Sequence, residues 1–578
     1  MNSEKQESSD EQSRQLPLRL LPGIIIVILQ WLIRFGLPAA MPGDQPLMIG
    51  VFAGILGGLA IAIWWAFFSR APRAERWGAI LLMIVALLAA SRLLHVSIAT
   101  SNMGMMFIIF SVPVMSLAFV IWAVATSRLS TRLRRILMVV TVICAAGVWT
   151  LLQTEGMTSN LHFKFAWRWA ETEEERFLDQ KIDEPMALPD ITESGANWSG
   201  FRGANRDGII SGVYINTDWK ASPPVELWRR PVGPGCSSFA VNDGLLYTQE
   251  QLGEDEAVTC YNLSSGKPVW RHRYKARFWD SHAGSGPRAT PTLSNGRLYT
   301  FGATGILNSL DALSGDVIWS RNVVTDTDAK DSGWGFTSSP LVVDSLVIVA
   351  ASGELAAYEL STGKPCWFGP DGRKGYSSPH LLTIEGVPQI VLMSDTGAIS
   401  FAPSGGKMLW EYLWPLQDRI LQPAITDDGD LLITGSLQDG IRRIAVVNES
   451  GEWNIKDRWT SNGLRPYFND FVIHKGHAYG FDGLSLACMD INDGKRIWRG
   501  GRYGGQIILL AEQDLLLVLT ERGELAIVSA LPDRFTELAR IPAIEGKTWN
   551  HPVLVDDVLV VRNSQEMVAF RLLLTGSS

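Results

Sequence analysis

Hydrophobicity along this chain changes its period once, near residue 155. Before that point lie five apolar stretches, each near the ~20 residues a helix needs to cross a bilayer. They are Leu18 to Leu37, Leu47 to Phe68, Trp77 to Val96, Met105 to Ala125 and Ile136 to Leu152. Internal Gly54, Gly57 and Gly58 suit close helix packing in lipid. Beyond residue 197 the apolar positions fall into short runs bounded by Gly, Asn, Asp and Ser, the mark of short antiparallel strands.

The second half repeats. SLDALSGDVIW (Ser309 to Trp319) reads as a strand, a turn at Ser314-Gly315 and a second strand ending on tryptophan. A hairpin loop of this length needs one residue at positive φ, where a Cβ would clash, so glycine stands there. The pattern recurs as YNLSSGKPVW, YELSTGKPCW, FAPSGGKMLW and MDINDGKRIW, with Gly266, Gly363, Gly406 and Gly494 each four residues before a tryptophan. Two further apolar runs precede each hairpin, so each unit offers four strands. Successive tryptophans at 270, 319, 367 and 410 give spacings of 49, 48 and 43 residues, matching a β-propeller blade.

Three degenerate units follow: Gln422 to Trp459, Asn469 to Trp498 and Gln506 to Leu538. The chain then supplies only three more strands, and ELWRR (Glu226 to Arg230) can provide the fourth. Closure by that early strand predicts eight blades with no exposed edge; seven is the competing count. The tryptophans Trp270, Trp319, Trp367, Trp410 and Trp498 should dock flat between blades, with the indole N–H on neighbouring backbone.

The expected layout is therefore a disordered tail (1–15), a transmembrane helical domain of about five spans (16–155), an interfacial helix with linker (156–197) and an all-β propeller (198–578). FKFAWRWAETEEERFLDQ (Phe163 to Gln180) is read as the interfacial helix, with Trp167 and Trp169 at headgroup level and acidic residues after them. Pro185 and Pro189 then suggest extended spacer.

Charge adds orientation. Lys5, Arg14 and Arg19 precede the first span; Arg70, Arg73 and Arg76 follow the second; Arg128, Arg132, Arg134 and Arg135 follow the fourth. The loops Pro38 to Pro46 and Ser97 to Asn102 carry no Lys or Arg. The positive-inside rule then puts the N-terminus in the cytoplasm and the propeller outside, in the periplasm of a bacterial inner membrane. Arg34, Arg92 and His95, near span ends, are read as snorkelling to the headgroups. Net charge is −8, so no basic footprint for nucleic acid exists. The five cysteines, Cys144, Cys236, Cys260, Cys366 and Cys488, show no CxxC and no adjacent pair. They read as unpaired and buried; disulfide connectivity among the last four is not legible.

The form D-x-x-x-G-x-x-x-W, clearest at Asp311-Gly315-Trp319 and Asp490-Gly494-Trp498, resembles the tryptophan-docking motif of the pyrroloquinoline quinone (PQQ) repeat. With NWSGFRGANRDG (Asn197 to Gly208) and GPRATPTLSNGRLYTFGATG, it resembles a bacterial family of PQQ-binding-like β-propeller proteins. Its members are distant relatives of quinoprotein dehydrogenases and of the propeller lipoprotein of outer-membrane protein assembly. The resemblance implies the fold; activity does not follow from it.

A ligand would be sought at the channel mouth, where residues leading into each innermost strand are polar. The candidates are Arg288, Thr290, Trp334, Ser338, Ser377, Asn469, Lys547, Asn550 and His551, with Tyr376, Tyr467 and Trp549 beside them. Arg288, Lys547 and Asn469 could meet the carboxylates and calcium of PQQ over an aromatic face. The competing reading is that these side chains satisfy backbone groups around a water-filled channel. No residue is assigned a catalytic or metal-binding role, since the vicinal disulfide of the dehydrogenases is absent. The expected function is a membrane-anchored extracytoplasmic binding or assembly scaffold for protein, peptide or small-molecule partners. The alternative is a PQQ- and Ca2+-dependent alcohol or sugar dehydrogenase feeding membrane quinone, and a ligand sensor is a third.

Overall fold

A computed structural model describes residues 18–41, 44–158, 163–179, 197–331, 333–415, 419–435 and 439–575. The expected tail and most of the expected spacer, Pro185 and Pro189 included, lie outside the described residues. The chain forms two compact units, Met1–Ala170 and Glu171–Ser578.

In the first unit, five helices are long and apolar enough to cross a membrane: α1 (Leu21–Ala40), α2 (Gln45–Phe68), α3 (Arg73–Ser91), α4 (Met106–Ala125) and α5 (Thr131–Leu151). α3 starts earlier than hydropathy suggests because Pro72 precedes it and Glu75 suits its first turn. α4 is the hub, touching the other four helices. Its Phe119 and Trp122 pack edge-on against Trp65 of α2, at 4.9 and 5.6 Å. Two arginines counted as loop cations, Arg134 and Arg135, begin α5 and pair with buried Glu75. Arg92 is exposed, and His95 caps the short helix Val96–Ala99 through Nδ1. Arg34 departs from the snorkelling expectation: it is buried within the bundle.

The expected helix over 163–180 is two elements. Phe163–Trp167 is a strand, paired antiparallel with Leu152–Met157. Its alternation explains this: Phe163 and Phe165 face Phe110 at 5.6 and 5.7 Å, while Lys164 between them pairs with Glu155. Helix starts only at α6 (Glu173–Asp179), which belongs to the second unit. A capping box starts it: the Glu175 N–H donates to Thr172 Oγ1, and Glu175 Oε2 accepts the Thr172 N–H at 2.7 Å. Phe177 anchors it on Leu252 and Ala257, and Glu174 holds Arg277 and Ser285.

The second unit is an eight-bladed β-propeller. Seven consecutive four-stranded sheets run from Ala240–Asn242 to Glu537–Pro542. The eighth joins Val553–Val555, Val558–Arg562 and Glu566–Arg571 to the early strand Val225–Pro231, as the closure argument expects. Ile209–Ile210 adds a parallel fifth strand inside blade seven.

Blade contacts follow the repeat. Indole N–H groups of Trp270, Trp319, Trp367 and Trp498 donate to carbonyls of Ala312, Leu360, Pro403 and Leu531 in the next blade, at 2.9 to 3.2 Å. Trp228 and Trp459 do the same to Leu263 and Ile491. Trp410 is the exception, donating to Gln389 Oε1 of its own blade at 2.7 Å. The next blade's hairpin, Ile441–Glu449 with Glu452–Ser461, is unusually long, so its ladder takes the carbonyls a turn would leave free.

All five cysteines are free. Cys260 and Cys488 are buried as expected, but Cys236 is half-buried and Cys144 and Cys366 are exposed.

Candidate functional site

The polar residues leading into the innermost strands form a ring of blade-to-blade hydrogen bonds. Thr290 Oγ1 accepts the Ser238 N–H, Ser339 Oγ accepts the Thr290 N–H, and Ser378 Oγ accepts the Ser339 N–H. Within one blade Ser338 Oγ takes the Ala350 N–H, and Ser377 Oγ donates to the Leu421 carbonyl of the next blade. Asn469 and Asn550 give their amides to carbonyls of Gly505 and of Gly235 and Ser237. Five predicted site residues, Thr290, Ser338, Ser377, Asn469 and Asn550, thus spend polar groups on backbone that converging strands leave unpaired.

The channel inside that ring is not simply water-filled. The segment from Trp198 to Ile210 threads it, bonding to the innermost strands or their leads in blades one, two, three, four, six and seven. Arg202 and Arg206 are both buried and both left-handed, at φ 60° and 58°. Arg202 pairs with Asp470 at 3.1 Å and donates to the Phe471 carbonyl at 2.7 Å. Arg206 donates to the Ser339 and Pro340 carbonyls. His551, a predicted ligand residue, instead sets Nε2 2.6 Å from Asp470.

Electrostatics there are governed by burial. Burial, with Arg202 beside it, brings Arg206 down to about 9. His380 falls to about 4 through burial and the nearby arginines, against hydrogen bonding to the Pro423 and Asn205 carbonyls. For Asp470, burial works upward, but Arg202 and His551 outweigh it and keep the carboxyl below its ordinary value. Arg202 and Arg206 are not among the residues that the strand-lead pattern singles out. Their one sequence signal is two arginines four residues apart among glycines, in FRGANRDG.

A second cluster gathers the remaining candidates. Trp334 stacks on Tyr376 at 4.7 Å and meets His282 at 5.9 Å and Tyr467 edge-on at 6.5 Å. Tyr467 continues to Phe468, and Phe468 to Trp549 at 5.0 Å. Lys547 closes the circuit, its Nζ 3.9 Å over the Trp549 ring and 2.8 Å from the His282 carbonyl. The indole of Trp549 donates to Glu521. Most of these rings are half-buried, so they offer apolar faces on a fixed frame. The protein atoms crowding Lys547 lower its pKa. Arg288 lies beside this circuit with its charge committed: it pairs with Asp280 at 2.5 Å, donates to Gly284 and covers Phe278.

PQQ with Ca2+ fits these residues poorly. Arg288 is neutralised by Asp280, and the described residues hold no cluster of three His, Cys, Asp or Glu side chains placed to bind a metal.

Residues 219–375 match the family described as outer membrane protein assembly factor BamB. A protein of that name from Shewanella oneidensis is 23% identical over 379 residues, 60% of this chain and 88% of the relative. Among solved structures, a quinohemoprotein alcohol dehydrogenase from Comamonas testosteroni is 13% identical and covers 67% of this chain and 82% of its own, with a TM-score of 0.49. BamB from Moraxella catarrhalis is 13% identical, covering 60% and 98%, with a TM-score of 0.31. The second unit is an eight-bladed propeller built from PQQ-type repeats, similar in sequence to BamB. At these identities the structural likeness is one of fold.

Proposed function

We propose that this protein is a membrane-anchored scaffold whose propeller, on the periplasmic side of a bacterial inner membrane, holds a polypeptide partner during envelope assembly. One observation carries the reading. Trp198 to Ile210 crosses the channel, and an aromatic circuit of Trp334, Tyr376, Tyr467, Phe468 and Trp549 gathers on the segments that lead into the innermost strands. Rigid, half-buried aromatic side chains with a nearby cation suit recognition of a polypeptide. The similarity to an outer-membrane protein assembly factor supports the same class of work. The loop between the first and second spans carries no Lys or Arg, and the one between the third and fourth carries only Arg92, while Arg70, Arg73 and Arg76 and Arg128, Arg132, Arg134 and Arg135 cluster at the opposite ends; this imbalance supports the orientation.

The test is genetic and direct. Deleting the gene should lower the level of folded outer-membrane proteins, and the wild-type chain should restore it. Trp334→Ala and Trp549→Ala chains, expressed and folded, should fail to restore it. Unchanged outer-membrane protein levels on deletion would sink the proposal. Titration with PQQ and Ca2+ should give neither a quinone absorbance nor alcohol- or sugar-dependent dye reduction; turnover would instead support the dehydrogenase.

A further inference from the structure

Arg34 lies in the π-helical turn Leu32–Gly36 of α1 and is only 6% exposed. Such turns within α-helices recur at functional sites. Among the described residues no carboxylate lies within ion-pair distance of its guanidinium, and its buried Nε has no hydrogen-bond acceptor. Its close neighbours are the rings of Phe35 and Phe110, at 4.9 and 5.1 Å.

The side chain runs away from the nearer end of its span. A Cβ on Gly50 of α2 would sit 2.9 Å from the Arg34 carbonyl oxygen, and one on Gly54 would sit 3.2 Å from Arg34 Cδ. From backbone to Cδ the arginine thus advances one turn along α2, away from the loop joining α1 to α2. Glycine at 50 and 54 makes the room. Gln30, one turn earlier on α1, reaches the same place. Its Nε2 donates to the Gly54 carbonyl at 2.6 Å, and its Oε1 is buried with no donor. Unused guanidinium donors and an unused amide acceptor therefore share the surface of Gly54, with Pro113 and Phe110 of α4 alongside.

An uncompensated charge inside a membrane bundle is costly, and intramembrane arginines mark binding sites for that reason. A guanidinium fork matches an oxyanion better than any other group. Arg34 sits among apolar helices long enough to cross a membrane, which suits a molecule that dissolves in the bilayer. We infer that Arg34 and Gln30 bind the oxyanion head of a membrane-soluble molecule, a phosphate or carboxylate on an apolar chain. A hydroxyl or N–H on the same head would fill Gln30 Oε1.

The experiment uses the full-length protein in a neutral detergent, with adducts read by native mass spectrometry and thermal stability read in parallel. The probes are phosphatidylglycerol, oleate and neutral diacylglycerol. Phosphatidylglycerol or oleate should leave a bound adduct and raise Tm, and diacylglycerol should do neither. Preference for the first or the second identifies phosphate or carboxylate as the natural head. Arg34→Gln should weaken binding about tenfold or more, as loss of a charge-assisted hydrogen bond implies. Arg34→Lys should weaken it less, and Arg92→Gln, at an exposed span end, should leave it intact. Equal binding of the neutral lipid, or undiminished binding by Arg34→Gln, overturns the proposal. If Arg34→Gln does not fold, Arg34→Lys and the head-group comparison on the wild type decide it: equal affinities across all three probes would reject an oxyanion site.

Discussion

Gly315 and Trp270 show how a single repeat residue carries two demands. Gly315 has φ 76°, and a Cβ there would lie 2.5 Å from the Trp270 ring of the preceding blade. Gly266, Gly363, Gly406 and Gly494 meet Trp228, Trp319, Trp367 and Trp459 in the same way. The glycine is thus both the turn and the surface on which the neighbouring tryptophan lies. Asp311 completes the turn, its Oδ1 accepting the N–H groups of Leu313 and Ser314. Gly296 separates the two demands, with φ 71° and no atom within 4 Å of the place a Cβ would take. Gly296→Ala should therefore cost only the backbone term, about 1–2 kcal/mol. Gly315→Ala should cost that plus about 1–3 kcal/mol of overpacking. Urea denaturation of the two variants measures the difference, and equal losses would refute the packing role.

Single elements show where local pattern is a sufficient guide and where it misleads. Five spans are legible because about 20 apolar residues have few alternatives to a membrane helix. The stretch 163–180 is not one helix because its aromatic-basic start alternates with period two, and Thr172 to Glu175 is a helix start. Within blade one, the strand Asp255–Asn262 carries Glu256, fully buried and accepting from the Tyr274 hydroxyl and the Ala303 N–H. Burial raises its pKa from 4.5 to about 7, against those bonds and Arg288. Between those two values the folded chain keeps a proton that the unfolded chain has lost. Stability contributed by this group therefore falls as pH rises through that window. Glu256→Gln should flatten the corresponding part of a Tm-against-pH curve. An unchanged slope would show that Glu256 titrates normally.

Across the whole propeller, two devices tie distant sequence together. Val225–Pro231 pairs with Glu566–Arg571, so blade eight is completed from both ends of the domain. The filling segment links blades through Arg202 and Asp470, 268 positions apart in a charged contact of 3.1 Å. Arg202→Met leaves Asp470 buried with His551 as its remaining side-chain partner, and should cost about 3–5 kcal/mol. Adding Asp470→Asn should recover part of that loss, because the stranded charge is removed. A double-mutant cycle by chemical denaturation reads the coupling; strict additivity would deny it.

By itself the sequence determined the five long apolar helices, the repeat and the strand that can close the ring, and left eight blades against seven for the structure to decide. Each of these rests on periodicity or spacing, which local sterics and burial impose on any chain with that pattern. Only the tertiary structure decided that Thr290, Ser338, Ser377, Asn469 and Asn550 serve the backbone, that Arg288 is neutralised by Asp280, and that Arg34 stays buried. Those outcomes depend on which polar groups from remote segments arrive within about 3 Å, and no one-dimensional pattern encodes that meeting. Trp198 to Ile210 makes the same point: its glycines and arginines read locally as a loop, yet eight converging blades turn that loop into the centre of the propeller.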